Sequence, residues 1–267
     1  MQLKNCGYFI LVLILLTFSA ADGVPAKQTD NDEEDTGRTI LAIGGHAGDM
    51  EVSCGAVLAK HAQNGDRVVL LHLTLGERGH PEMVPEQYGE QKKEEAENAA
   101  EILGAEVIFG PYEDGEIPDT EEARLYVSEK IRQVQPTHVI THWENSIHRD
   151  HSNTHNIVTD AILLASLQGV DSDYDEHSVS HGPYFTENWE DMDDYEPYIF
   201  VDVTDSYETW TQAISEYEFI VGDISPFPYY EYYTSLAQVR GALARTDYAV
   251  TFNISEFGKR LNYDLLP

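Results

Sequence analysis

Two short clusters of histidine and aspartate have the residue types and spacing of a metal site. His46 and Asp49 lie three residues apart within Gly45–Glu51, and His151 closes a second cluster, His148–His151. Two imidazole nitrogens and one carboxylate oxygen, with a water in the fourth position, form a ligand set for catalytic zinc. Zinc held in this way polarises a carbonyl and lowers the pKa of its bound water to about 7. The clusters therefore predict a zinc-dependent hydrolytic site with His46, Asp49 and His151 as its ligands.

The remaining members of the second cluster have their own predicted roles. His148 lies three residues before His151, so in a helical turn the two side chains would share a face, and His148 could act on a substrate. Asp150 could orient a histidine by accepting its second N–H. An alternative interpretation needs no metal: His46 and His148 would be polar loop residues, and Asp49 would be a helix N-cap.

Alternating strand and helix patterns position both clusters. The apolar spacing predicts four strands and four helices in alternation: Thr39–Gly45, Met50–Ala62, Arg67–Thr74, Glu90–Leu103, Val107–Phe109, Glu121–Val134, His138–His142 and Ser152–Leu167. Such alternation predicts an α/β fold with a mostly parallel sheet and helices on both faces. Each cluster follows a strand, and ligand sites of open parallel sheets lie beyond the carboxyl ends of the strands. We therefore expect the two clusters to meet at one edge of the sheet.

The pattern changes after Gly169. Residues 171–197 are rich in Asp, Glu, Tyr, Trp and Pro, and this composition predicts an irregular segment. Three further elements are predicted beyond it: a strand at Tyr198–Val203, a helix at Thr204–Phe219 and a last helix at Tyr229–Ala244.

The first 37 residues differ from the rest of the chain. Residues 1–21 combine Lys4, a short apolar run and small residues at the end, as a secretory signal peptide does; an uncleaved N-terminal anchor is the alternative. Residues 22–37 are acidic and poor in apolar side chains, which predicts a disordered linker before a single domain at 38–267. We therefore expect a secreted or periplasmic protein with no membrane insertion after cleavage, and, because cleavage leaves Cys54 as the one cysteine, with no internal disulfide.

The charge of the chain excludes two classes of partner. The formal net charge is −32, and such a field repels nucleic acid and anionic membranes. A nucleotide-binding oxidoreductase is also disfavoured, because Ile43-Gly44-Gly45-His46 lacks the spaced third glycine of a dinucleotide-binding turn.

Five motifs occur in order between residues 39 and 168. They are GHAGDME at 45–51 followed by Ser53-Cys54-Gly55, LTLGE at 73–77, KEEAENAAEILGA at 93–105, DGEIP at 114–118 and HRDH at 148–151. This set resembles the LmbE-like, or PIG-L-type, deacetylases, whose motifs include A-H-P-D-D-E and H-x-D-H. The resemblance implies a Rossmann-like fold and a zinc hydrolase that deacetylates N-acetylglucosamine-type groups. It also implies that His46, Asp49 and His151 bind zinc, that His148 stabilises or protonates the tetrahedral intermediate, and that Asp150 orients a histidine.

One position departs from the family motif. The first aspartate of A-H-P-D-D-E, the usual general base, falls on Gly48, which cannot accept a proton. Glu51 is the nearest carboxylate in sequence and is the first candidate for the base, although it could instead be a favourable charge at a helix N-terminus. Glu77 and Glu144 are further candidates. The chain could also be a carbohydrate-binding pseudoenzyme, or a zinc hydrolase of another amide or ester.

The expected substrate is an N-acetylated sugar or glycoconjugate. Trp143, on the approach to the second cluster, could stack on a sugar ring or could be an aromatic at the edge of the core. Glu77 is a second candidate contact to the substrate. His155 follows His151 by four residues and could support or bind the metal, and the aromatic run Pro226–Tyr233 could be a sugar platform or the core of a loop.

Overall fold

A computed structural model describes residues 37–191, 193–222, 224–256 and 258–259 of the chain. The expected signal peptide and all but the last residue of the expected linker lie outside these residues. In the described part, no helix is both long enough and apolar enough to cross a membrane.

Seven strands form one mixed sheet in the described part of the chain. They are β1 (Thr39–His46), β2 (Arg67–Thr74), β3 (Glu106–Phe109), β4 (His138–Thr141), β5 (His181–Thr186), β6 (Ile199–Asp202) and β7 (Ala249–Ile254), in the spatial order β3-β2-β1-β4-β5-β7-β6. Strands β1 to β5 pair in parallel, whereas β7 pairs antiparallel with both β5 and β6. The predicted α/β fold with a mostly parallel sheet is confirmed.

Among the described residues, seven α-helices connect the strands. They are α1 (Asp49–Gln63), α2 (Pro85–Leu103), α3 (Glu121–Val134), α4 (Arg149–Ala165), α5 (Tyr207–Ile214), α6 (Glu218–Val221) and α7 (Tyr229–Ala244). Neighbouring residues of β1 alternate between two cores: Ile40 packs with residues of α1, α2, α5 and α7, and Leu41 packs with residues of α3 and α4. The helices therefore cover both faces of the sheet, as predicted.

Three sequence-based predictions differ from the structure. The segment 171–197, which was predicted to be irregular, contains β5. This strand was missed because it includes Gly182 and Pro183, two residue types that are rare inside strands. Strand β7 was not predicted at all, because Thr251 and Asn253 interrupt its short apolar run. The helix predicted at Thr204–Phe219 is divided into a 3₁₀ turn, α5 and α6.

Candidate functional site

The two clusters meet where the order of the parallel strands reverses. Strands β1 and β4 are neighbours in the sheet, and the chain runs outward from β1 toward β3 before it returns to β4. His46 is the last residue of β1, Asp49 is the first residue of α1, and His151 lies in the first turn of α4. This arrangement is a topological switch point, where open α/β sheets place their ligands.

His46, Asp49 and His151 bring three donor atoms together. Oδ2 of Asp49 lies 3.1 Å from Nδ1 of His46 and 3.3 Å from Nε2 of His151, and these two nitrogens are 3.3 Å apart. At zinc bond lengths of about 2.0–2.2 Å, the ligand atoms of a tetrahedral centre lie about 3.3 Å from one another. The spacing of the three atoms therefore fits one divalent ion of this size.

Carboxylates surround the other nitrogen of His46. Nε2 of His46 lies 3.2 Å from Oδ1 of Asp114 and 3.4 Å from Oδ2 of Asp150, without a well-formed hydrogen bond to either. Burial works to lower the pKa of His46, but Asp49, Asp114 and Asp150 together raise it well above its usual value. The surroundings thus favour positive charge at this point, which a cation would supply. Asp150 lies where it could orient His46, and this role stays a prediction.

Asp191 supports the opposite side of the cluster. It is buried, and its carboxylate lies 3.4 Å from Nδ1 of His151 and 3.7 Å from Nδ1 of His142. Burial would raise the pKa of Asp191, but the two histidines hold it at about 2, so the carboxylate is ionised at neutral pH. A carboxylate behind a metal-binding histidine fixes the ring and its tautomer. Sequence reasoning missed Asp191 because it stands among many other acids in 171–197.

His148 is the N-cap of α4, so the helix begins earlier than predicted. Its Nδ1 accepts a hydrogen bond of 3.3 Å from the backbone N–H of Asp150. The ring centroid lies 4.7 Å from that of His46 and 4.9 Å from that of His151. Burial, and then the neighbouring His46 and His151, lower the pKa of His148. An unprotonated imidazole therefore stands beside the cluster at neutral pH.

A cavity of about 240 Å³ opens beside these residues. Its walls come from the two clusters, the loops β2–α2, β3–α3 and β5–β6, helix α2, and the segment from α6 to the start of α7. The lining residues are His46, Ala47, Asp49, Gly76, Gly79, Tyr88, Lys92, Asp114, His148, His151, Glu190, Phe219, Ile224, Ser225, Pro226 and Tyr229. The mixture of rings with a few charged groups is typical of a small-molecule site.

Glu51 does not reach this cavity. It lies on the first turn of α1, as predicted, but its side chain is 0% exposed and points into the core. Its carboxylate accepts hydrogen bonds from Tyr217 and from the backbone N–H of Gly48, and it lies 3.2 Å from Nε2 of His72. The geometry therefore disfavours Glu51 as a base and assigns it to the helix terminus and the core.

Gly48, rather than Asp49, is the N-cap of α1. Its φ of 105° belongs to the region that side chains rarely adopt. A Cβ at this position would lie 2.8 Å from two ring atoms of Phe219 and 3.5 Å from Nζ of Lys92. The place of the family's aspartate side chain is therefore filled by an aromatic ring and bordered by a cation.

The other predicted residues lie outside the lining of the cavity. Trp143 packs edge-on against Phe185 and Tyr195, and its indole N–H donates to the carbonyl of Asp193. Glu77 accepts a hydrogen bond of 2.8 Å from the backbone N–H of Asp114, so it holds the loop that carries a cavity residue. The geometry favours the edge-of-core interpretation for Trp143 and a supporting role for Glu77.

Glu144 and His155 are also placed away from the cluster. Glu144 is exposed on the loop after β4. Nδ1 of His155 lies 2.9 Å from the carbonyl oxygen of His142, and its ring packs against Phe185. His155 therefore fixes the end of β4, and the geometry favours its interpretation as a support.

Comparisons with known proteins show which family the chain resembles. The PIG-L family model, described as GlcNAc-PI de-N-acetylase, matches residues 41–162, which contain both clusters. The 4-oxalmesaconate hydratase of Pseudomonas putida KT2440 is 26% identical over 224 residues, which are 80% of this chain and 84% of that protein. The diacetylchitobiose deacetylase of Thermococcus kodakarensis is 28% identical over 193 residues, which are 68% of this chain and 69% of the relative.

The fold is also similar to that of a solved structure. The crystal structure of GalB, the 4-carboxy-2-hydroxymuconate hydratase of Pseudomonas putida KT2440, has a TM-score of 0.74 and 26% identity, covering 86% of this chain and all of that one. The motifs around His46 and His151, the sheet that carries them and these matches lead to one conclusion. Residues 41–162, which hold both clusters, match the PIG-L family, and deacetylases of this type are among the relatives of the chain.

Proposed function

We propose that the chain is a zinc-dependent hydrolase that removes the acetyl group from an N-acetylated sugar or a related small molecule, outside the cytoplasm. One observation carries the proposal: donor atoms of His46, Asp49 and His151 lie 3.1–3.3 Å from one another at the wall of a cavity. The family model's description and the diacetylchitobiose deacetylase among the relatives support an acetamide as the group that reacts.

His46, Asp49 and His151 would hold the ion, which supplies Lewis-acid activation of a carbonyl and of water when bound. Asp150 and Asp191 keep the two imidazoles oriented from behind. His148 borders the cavity with an imidazole that is neutral at neutral pH, so it can exchange a proton with the leaving amine or with the oxyanion.

The proton acceptor must come from a residue other than Gly48. Asp114 and Glu190 line the cavity, beside His46 and His151 respectively. Their placement makes them the candidates that we propose, and the burial of Glu51 disfavours it. Asp114→Asn and Glu190→Gln, each measured for turnover and metal content, would identify the acceptor by a loss of about 10²–10⁴-fold with the metal retained.

Hydration of a carbon–carbon double bond is the second candidate reaction. The hydratase relative aligns over 80% of this chain, and position 48 lacks the carboxylate of the family motif. Hydration also uses activated water, but it adds both parts of the water to the substrate and releases no amine. The same metal ligands would serve either reaction.

A single panel of substrates separates the possibilities. Zinc-loaded protein is assayed for acetate release from N-acetylated mono- and oligosaccharides, and for loss of ultraviolet absorbance from conjugated unsaturated dicarboxylates. Acetate release supports the deacetylase, whereas loss of absorbance alone supports the hydratase. Turnover of neither class, with sugar still bound, would indicate a pseudoenzyme.

Two variants and one sequencing experiment test the remaining parts. His46→Ala and His151→Ala should each lose stoichiometric zinc by elemental analysis. His61→Ala, near the end of α1, is the control and should keep it. Full zinc occupancy in the first two variants would overturn the ligand assignment.

N-terminal sequencing of protein from its native host should find a start near Asp22 outside the cytoplasm. An intact Met1 would contradict cleavage.

A further inference from the structure

A buried lysine stands in the wall of the cavity. Lys92 lies in the middle of α2, is 3% exposed and lines the cavity beside Gly48. Its Nζ donates a hydrogen bond of 2.6 Å to the carbonyl oxygen of Ala47, the residue between His46 and Gly48. The ammonium group is thus fixed against the loop that carries the first cluster.

No carboxylate neutralises this charge within ion-pair distance, among the residues that the structure describes. Apart from Ala47, its close neighbours are two aromatic rings, whose centroids lie 4.0 Å away for Phe219 and 4.5 Å away for Tyr217. An ammonium carries three donors, and the bond to Ala47 uses one. The carboxylates that act on this charge, which are Glu95, Glu51, Asp49 and Asp114, all lie beyond ion-pair distance, so the place of the ammonium group beside a cavity suggests a ligand that supplies a direct partner.

The charge of Lys92 persists at neutral pH. Burial lowers its pKa to about 8, and the surrounding acids oppose this shift, so the ammonium form remains the main species at pH 7. Nζ would lie 3.5 Å from a Cβ at Gly48, the position at which the family motif has a carboxylate.

The other charged groups that line the cavity have different immediate neighbours. Asp114 and Glu190 lie on the side of the histidine cluster, and Lys92 lies beside Ala47 and Phe219. An anionic group of a ligand would be repelled by the two carboxylates and attracted by the ammonium. A volume of about 240 Å³ restricts the ligand to a small molecule.

We propose that the cavity binds a substrate bearing a carboxylate, which Lys92 holds by a charge-assisted hydrogen bond while the group that reacts lies at the histidine cluster. This inference rests on the proposed function, since it names the substrate class of the same site. It fits an acidic sugar derivative in the deacetylase reaction and an unsaturated acid in the hydratase reaction. A neutral N-acetylated sugar would leave Lys92 without its partner.

Binding of small probes tests the proposal without any turnover. Calorimetric titration compares succinate with succinamide, which has a similar shape but no charge, in the parent, Lys92→Met and Lys93→Met proteins. Lys93 is the matched control because it is the next residue of α2 but is exposed and lies 3.9 Å from Glu97. Zinc-loaded and metal-free protein are both titrated, since a carboxylate could also bind the ion.

The parent and Lys93→Met should prefer succinate by at least about tenfold, which is the worth of one charge-assisted hydrogen bond, and Lys92→Met should lose the preference. Lys92→Arg, which keeps the charge, should retain most of it. Equal affinity of the parent for both probes would overturn the proposal, as would a preference that survives Lys92→Met but disappears with the metal. If Lys92→Met fails to fold, Lys92→Gln, which keeps a polar group but removes the charge, takes its place in the comparison. Absence of turnover would leave these results unaffected.

Discussion

Tyr217 donates a hydrogen bond of 2.5 Å to Oε1 of Glu51 in the interior of the protein, where both side chains are fully buried. The bond joins the first turn of α1 to the residue that precedes α6. Because α6 carries Phe219 to the cavity, this one contact links the start of the helix that bears Asp49 to the ring that fills the space beside Gly48.

Replacement of Glu51 by Gln should reduce stability and leave turnover nearly intact. The amide N–H₂ of Gln cannot accept the hydrogen bond from Gly48, so a buried donor loses its partner at a cost of about 1–3 kcal/mol. Urea unfolding and turnover measured on the same protein check this. Tyr217→Phe removes the bond from the other side and is the matched control. A loss of about 10²-fold or more in turnover at parental stability would instead identify Glu51 as the base.

Replacement of Gly48 by Ala should cost more stability than replacement of Gly65 by Ala. Both glycines have positive φ, 105° and 86° respectively, but a Cβ at Gly48 meets Phe219 at 2.8 Å whereas a Cβ at Gly65 meets nothing within 4 Å. The backbone strain alone is worth about 1–3 kcal/mol, and Gly48 adds the steric clash. Thermal unfolding of both variants measures the difference.

The same geometry predicts the outcome of Gly48→Asp. The family's aspartate placed at this position should destabilise the protein and should not restore a base, because Phe219 occupies the space of its side chain. A gain in turnover with parental stability would show that Phe219 moves aside, and equal losses in Gly48→Ala and Gly65→Ala would lead to the same conclusion.

The sequence was sufficient to predict the parallel half of the fold, in which strands and helices alternate. Strands β1 to β4 and their helices follow periodic apolar runs, and the two clusters were found because each stands at the end of such a strand. The antiparallel half was predicted less well, since β5 contains Gly182 and Pro183 and pairs with residues far away in sequence. Local pattern carries no information on such pairing.

Lys92, a cavity residue that sequence analysis did not single out, was missed for a different reason. Lys92 stands in the run Lys92-Lys93-Glu94-Glu95, which in sequence is typical of a solvated helix face. Only the packing of α6 and of the loop after β1 against α2 shows that Lys92 is buried. Glu51 shows a second limit of sequence reasoning: it lies close to Asp49 along the chain, but its side chain leaves the helix toward the core.

Replacement of Asp191 by Asn should weaken zinc binding by about 10–100-fold without abolishing it. Asp191 touches His151 rather than the ion, and loss of such a support costs about this much in metal affinity. Competition with a chelator of known affinity measures the dissociation constant. Asp193→Asn, two residues away and exposed, is the control and should bind zinc like the parent. Unchanged affinity in Asp191→Asn would exclude the supporting role.

His138 should make the protein sensitive to mild acid. Burial, and then the neighbouring His181 and His61, lower its pKa to about 4 from 6.5. Between these values the unfolded chain binds a proton that the folded protein does not, so this contribution to stability is full above pH 6.5 and is lost as pH falls toward 4. Since the side chain is only half-buried, we expect an effect on the order of 1 kcal/mol.

The replacement His138→Phe keeps a ring against His181 and Tyr184 and removes the titration. The melting temperature of this variant should fall less between pH 7 and pH 5 than that of the parent. His80→Gln, in the loop between β2 and α2, is the control and should follow the parent. Parallel curves for all three proteins would contradict the assignment.

Strand β6 depends on a partner that comes later in the chain. In the order β5-β7-β6, β7 lies between two strands that precede it, and β6 pairs with β7 alone among the described strands. A ribosome delivers β6 and then α5, α6 and α7 before it delivers β7. During synthesis β6 therefore remains an unpaired edge strand until β7 is made, and unpaired edge strands are prone to aggregation. The yield of correctly folded protein is thus expected to depend on how quickly residues 203–248 are translated.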